Sequence, residues 1–312
     1  FLRFAAMGNA LGLGSAPPLG NVAVERESFF GRMGNALCGV CFGLVLFLAS
    51  VFVLGWNEFN YVRNQAVLLK VEKDVAEVGC QSLPANAGSP IWASCPVDRV
   101  ASFKDMPAFS PLNQFTFGDS QEGAWFKTSS HIYQWVEEKQ CESHTTTGGG
   151  KEKICTYDYS QQWVSSPVSS SSFYCYPTFK SGCRLGGDQI KNQGSIPSVL
   201  QMTITAEEGT VGMGSGTAGT SDYSLNSMML GVFPGTPVTV TNVPLSFSSL
   251  PSKKVVEDGS GGVRFVSVSS QDSVGDVRTT FSQSRIIVGQ DRVSIIAKQG
   301  LISGGHAMLQ NW

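Results

Sequence analysis

Charge is scarce in this chain: only 15% of its 312 residues are Asp, Glu, Lys or Arg, and the net charge is −2. No basic cluster stands out, and neutralising phosphates needs concentrated Lys and Arg, so nucleic acid is not expected as a partner. Histidine is scarcer still, with three copies. His131 and His144 flank one predicted strand and His306 lies near the end, so no two share a metal-ligand spacing and surface roles are expected. A G-x-S-x-G elbow, a Walker loop, a dinucleotide fingerprint and an HExxH helix are all missing. Asn-x-Ser/Thr sequons are missing too. The carboxylates Glu137, Glu138, Asp158 and Asp276 fall on predicted strands or turns, where solvated faces are the default. The expectation is therefore no catalytic residue, no metal and no cofactor.

One long apolar run sets the class. Ala36–Leu54, ALCGVCFGLVLFLASVFVL, carries no charge and is long enough to cross a hydrocarbon core of roughly 30 Å at about 1.5 Å per residue. Arg26, Glu27 and Arg32 bound it on one side, and Asn57, Glu58 and Arg63 on the other. Trp56 and Tyr61 sit where amphipathic rings favour the interface. A buried globular helix would show a polar face, and a cleavable signal would be shorter and followed by small residues. Within the run, Gly39 and Gly43 make a small-residue ridge suited to helix packing. Cys38 and Cys41 have redox spacing but no activating charge nearby.

Orientation does not follow from charge, because Arg3, Arg26 and Arg32 before the helix balance Arg63, Lys70 and Lys73 after it. It follows from cysteine. Cys80, Cys95, Cys141, Cys155, Cys175 and Cys183 all come after the helix, an even number that favours disulfides in an oxidising compartment over buried free thiols. Cys141 ends one strand and Cys155 begins the next, within disulfide reach across a hairpin. Cys80–Cys95 and Cys175–Cys183 are the companion pairs expected from short sequential loops.

The remainder reads as β. His131–Glu142 and Glu152–Trp163 flank a turn around Gly148–Gly150, and in the second run Cys155, Tyr157, Tyr159, Gln161 and Trp163 alternate with Thr156, Asp158 and Ser160. Further strands are expected at Pro237–Val243, Val263–Val268, Asp276–Ser282 and Arg292–Lys298, the last with both faces covered. Residues 62–79 suit either a helix continuing out of the membrane or a first strand. Glu207–Ser221, rich in Gly, Thr and Ser, reads as a long flexible loop and a possible lobe junction.

Ser28–Glu58, with its FF-x-R-x-GN start and WNE exit, resembles the first membrane segment of the transmembrane protein 43 (LUMA) family. Ile132–Glu138 (IYQWVEE), Thr156–Trp163 (TYDYSQQW), Val274–Ser282 (VGDVRTTFS) and Val293–Gly300 (VSIIAKQG) are similar to the same family in the same order. After WNE the family continues Gly-Arg-Ala-Val, where this chain has Phe59, Asn60 and Tyr61. The resemblance implies an endoplasmic-reticulum or nuclear-envelope protein with a lumenal domain. It also implies scaffolding by oligomerisation or by gathering lipids and membrane proteins; the further membrane helices that follow that domain in the family are either absent here or not included in residues 1–312.

The expected architecture is thus an N-terminal arm at 1–35, a transmembrane helix at 36–56 and a large, mainly β (α+β) lumenal domain at 57–312. The expected partners are the lipid bilayer and other membrane proteins or a second copy of the chain. An accessory subunit of an organellar membrane complex is the alternative, and a membrane-bound enzyme with a dispersed site the rival from another class. A convergent polar pocket would favour the enzyme, and exposed apolar patches the scaffold or subunit.

Overall fold

The computed structural model describes residues 22–27, 29–145, 151–180, 183–215, 222–267, 271–303 and 306–310. Most of the expected arm, the Gly148–Gly150 turn, residues 216–221 of the Gly/Thr/Ser segment and the side chains of Cys38 and Cys41 lie outside them.

Helix α1 spans Phe29–Asp74, 46 residues, or roughly 70 Å at about 1.5 Å per residue. It therefore runs well past the span expected at 36–56 and settles the ambiguity of residues 62–79: helix to Asp74, then a strand at Ala76–Val78. The cause is local. No Gly or Pro occurs between Trp56 and Asp74, Gln65, Ala66, Leu68, Leu69, Lys70 and Glu72 supply good helix formers, and Lys73 complements the dipole in the last turn. From Phe42 onward its described side chains are exposed, save the half-buried Asn60, and its apolar stretch is long enough to span a membrane. So large an uncovered apolar surface is at home in lipid rather than water.

By its contacts the chain divides into a smaller unit (Phe1–Ala36, Trp135–Ser160, Ser169–Lys191) and a larger one (Leu37–Gln134, Gln161–Val168, Asn192–Trp312). None of these boundaries falls within 207–221.

The larger unit holds two β layers, each with its own core. In the first, Trp125–Thr145 enters antiparallel to Val277–Ser284, followed in order by Val263–Val266, Leu250–Glu257 and Ser246–Phe247. Phe126, Thr128, Ser130, Ile132 and Gln134 turn inward with the period of two expected of a strand. Rings of Phe103, Phe109, Phe117, Phe126 and Phe281 fill this core, with Phe109 edge-on to Phe126 at 5.0 Å between centroids.

The second layer closes on itself. Pro90–Arg99 pairs with Arg292–Ser303, which pairs with His306–Gln310, which runs parallel to Asp222–Leu225. The two-residue strand Gly212–Met213 then joins Asp222–Leu225 back to the far end of Pro90–Arg99. Closure removes unpaired edges over that ring. Ile91, Val97, Met213, Tyr223 and Leu309 fill its interior.

Three expectations are corrected here. Val211 and Met213 are fully buried and Gly212–Met213 is a strand, so this part of the Glu207–Ser221 segment is barrel wall rather than flexible loop. Ile296 is 53% exposed, so the Arg292–Lys298 strand is covered on one face only. Asp276 is fully buried rather than solvated, and pairs with Lys253 at 2.9 Å.

The smaller unit contains strand residues 135–145 and 151–160, with Val22–Glu27 antiparallel to the latter. Cys155 and Tyr157 are buried while Thr156 and Asp158 are exposed, the alternation read from the sequence.

Candidate functional site

The junction between helix and barrel is heavily tied. Only Val75 separates α1 from Ala76–Val78, which pairs in parallel with Ile91–Ala93. Cys80 is bridged to Cys95 of the same central strand, with Cα atoms 5.5 Å apart. The Tyr223 hydroxyl donates to the Gln81 carbonyl at 3.1 Å, and the buried Gln299 amide donates to the Leu83 carbonyl at 2.7 Å. Burial raises the Tyr223 pKa, which keeps that hydroxyl a donor. Four ties hold residues 76–83, the segment that follows α1, to the barrel wall.

The two other cysteine pairs staple the smaller unit. Cys141 is bridged to Cys155 and Cys175 to Cys183. Between them lies a compact polar network. The Tyr159 hydroxyl donates to Glu137 Oε2 at 2.6 Å, the Tyr174 amide donates to the same oxygen at 2.5 Å, and the Cys175 amide donates to the Tyr159 oxygen at 3.0 Å. Burial first, and the bond to Glu137 second, push the Tyr159 pKa well above its ordinary value. Tyr157 and Tyr174 stack at 4.4 Å, with the Lys180 ammonium 4.0 Å above Tyr174. This chemistry holds a shape and presents no activated nucleophile.

A third feature was not legible in the sequence. On the larger unit a cleft of about 970 Å³ lies among the Leu225–Thr236 segment, the Arg285–Ile287 turn and the Arg292–Ile296 strand face. Each wall is fixed from below. Helix α2, Ser227–Leu230, is capped by Asn226, whose side chain accepts from Met229 N at 3.1 Å. One turn of helix then buries Met229 and Leu230 and leaves Met228 71% exposed at the cleft. The following loop is held by the Trp125 indole, which donates to the Phe233 carbonyl at 3.0 Å. Gly235 is required there, because a Cβ would stand 2.2 Å from the Trp125 ring. Opposite, Asp291 accepts from Ile287 N at 2.6 Å, and Gly289, at φ +79°, donates to Val97 O. None of these turns stood out in the sequence, since the cleft arises only where distant segments meet.

The remaining sequence-derived candidates stay apart. A Cβ at Gly43 would meet nothing within 4 Å, so that part of the ridge is open, while the surroundings of Gly39 lie outside the described side chains. His144 faces Glu142 at 3.7 Å on the surface. Among the described residues no group of three or more His, Cys, Asp or Glu side chains could hold a metal.

Residues 132–179 match the family model described as Transmembrane protein 43. The matched segment contains the Glu137–Tyr159–Tyr174 network and both ends of the Cys141–Cys155 bridge. No curated protein and no solved structure matched the chain.

Proposed function

We propose that this chain belongs to the transmembrane protein 43 family and is a non-enzymatic, membrane-anchored scaffold, whose helix and β domain gather membrane proteins, lipids or further copies of the chain. The observation that carries the reading is the junction: one residue beyond the spanning helix the chain is joined to the barrel by strand pairing, a disulfide and two part-buried hydrogen bonds. A catalytic domain needs only a tether, whereas a part that positions others gains from a stiff connection. The three disulfides support an oxidising side for the β domain, hence the lumen of the endoplasmic reticulum or nuclear envelope, with the arm at 1–35 cytosolic.

Two measurements test this. Purification of the full chain in mild detergent should give multimers or a defined set of co-purifying membrane proteins, and replacing Gly39 and Gly43 with Leu should weaken that association without loss of insertion. A monodisperse monomer with no companion would overturn the scaffold. In sealed microsomes the β domain should resist protease until detergent is added; digestion without detergent would invert the topology.

A further inference from the structure

We propose that the cleft between α2 and the Arg292–Ile296 strand face is a binding site for a long-chain amphiphile with a carboxylate head, such as a free fatty acid. Its volume, about 970 Å³, lies at the upper end of the roughly 300–1,000 Å³ usual for small-molecule sites. The lining is mostly aliphatic, with Met228, Met229, Val232, Ile286 and Ile295 among the contributors. Methionine suits a flexible chain, since its unbranched thioether adapts to many shapes.

The head group is set by charge. Arg285 and Arg292 line the cleft beside a single carboxylate, Asp291. Asp291 is already engaged with the Ile287 amide, and Arg292 donates to the Ser94 carbonyl at 2.5 Å through one nitrogen. Arg285 is exposed and has no ion-pair partner among the described residues. The result is one net positive charge at the rim of an apolar trough, with a guanidinium fork that matches a carboxylate. The walls are held by the Asn226 cap, the Trp125–Phe233 bond and the Asp291–Ile287 bond, so little ordering cost remains when the site fills.

The test uses the full chain in nanodiscs of neutral phosphatidylcholine and a photoactivatable diazirine fatty acid, with labelled peptides identified by mass spectrometry. Label is expected on peptides covering Leu225–Thr236 and Arg285–Ile296, displaced by oleate and not by oleyl alcohol, which lacks the charge. Arg285→Ala should lower cleft labelling by roughly tenfold, as loss of one charge-assisted contact implies. Met228→Asp, at a side chain 71% exposed, should abolish it. Labelling of α1 by probe dissolved in the bilayer serves as the internal control and should not change. Label confined to α1, equal displacement by the alcohol, or indifference to both substitutions would overturn the site. None of these results bears on association of the chain, so the scaffold reading stands or falls separately.

Discussion

Replacing Asp276 with Ala should be among the most destabilising single changes outside the hydrophobic cores. The carboxylate is fully buried, and its partner Lys253 has a side chain only 14% exposed. Oδ1 accepts from Lys253 Nζ at 2.9 Å, Ser267 N at 2.9 Å and Ser267 Oγ at 3.1 Å, while Oδ2 accepts from Ser273 N at 2.9 Å. Truncation removes the counter-charge of the Lys253 ammonium, which keeps only its bond to Ser267 Oγ, and strands two amides at once. Breaking a buried pair by removing one partner costs about 3–5 kcal/mol, and the stranded amides fall within that figure because neighbouring losses do not add. Lys253→Met should cost less, about 1–3 kcal/mol, since the carboxylate keeps its amide and hydroxyl donors. The double variant should therefore lose less than the sum, with a coupling of about 1–3 kcal/mol. Urea unfolding of the full chain in nonionic micelles, followed by tryptophan fluorescence, measures all three, and Asp276→Asn replaces the Ala variant if that does not fold. A loss below about 0.5 kcal/mol for Asp276→Ala, or no coupling, would refute the reasoning.

Two further outcomes follow from the ties and the tyrosine network. Replacing Cys80 and Cys95 together with Ser opens a loop of sequence separation 15 and should cost about 3 kcal/mol, lowering the thermal midpoint of the full chain; an unchanged midpoint would show that the helix junction does not depend on the bridge. Because the folded-state pKa of Tyr159 is raised above its ordinary 10.0, stability should be level below about pH 10 and fall above it as the unfolded state ionises. Tyr159→Phe should lessen that alkaline decline, leaving the part that the raised pKa of Tyr223 supplies, and an equally steep fall in the variant would assign it to other groups.

What the sequence determined by itself is whatever local pattern can encode. An uncharged apolar run announces a spanning helix, because the hydrocarbon core asks only for length and apolarity. Strict alternation through Cys155–Ser160 announces a strand, because the pleat has a period of two. The length of α1 beyond Trp56 was half legible: helix formers were present, but the periodicity of residues 62–79 suited a strand as well, and the structure contains both in succession. Only the tertiary structure decided the rest. Barrel closure depends on Gly212–Met213, two residues with no period to read, and on the parallel pairing of Asp222–Leu225 with His306–Gln310 far along the chain. The burial of Asp276 depends on Lys253 arriving from a different strand, and the cleft on a helix-and-loop segment, a turn and a strand face that only the folded chain brings together. Local free-energy preferences act over a few residues, whereas burial and concavity are properties of segments brought together, so they appear only when the chain has closed on itself.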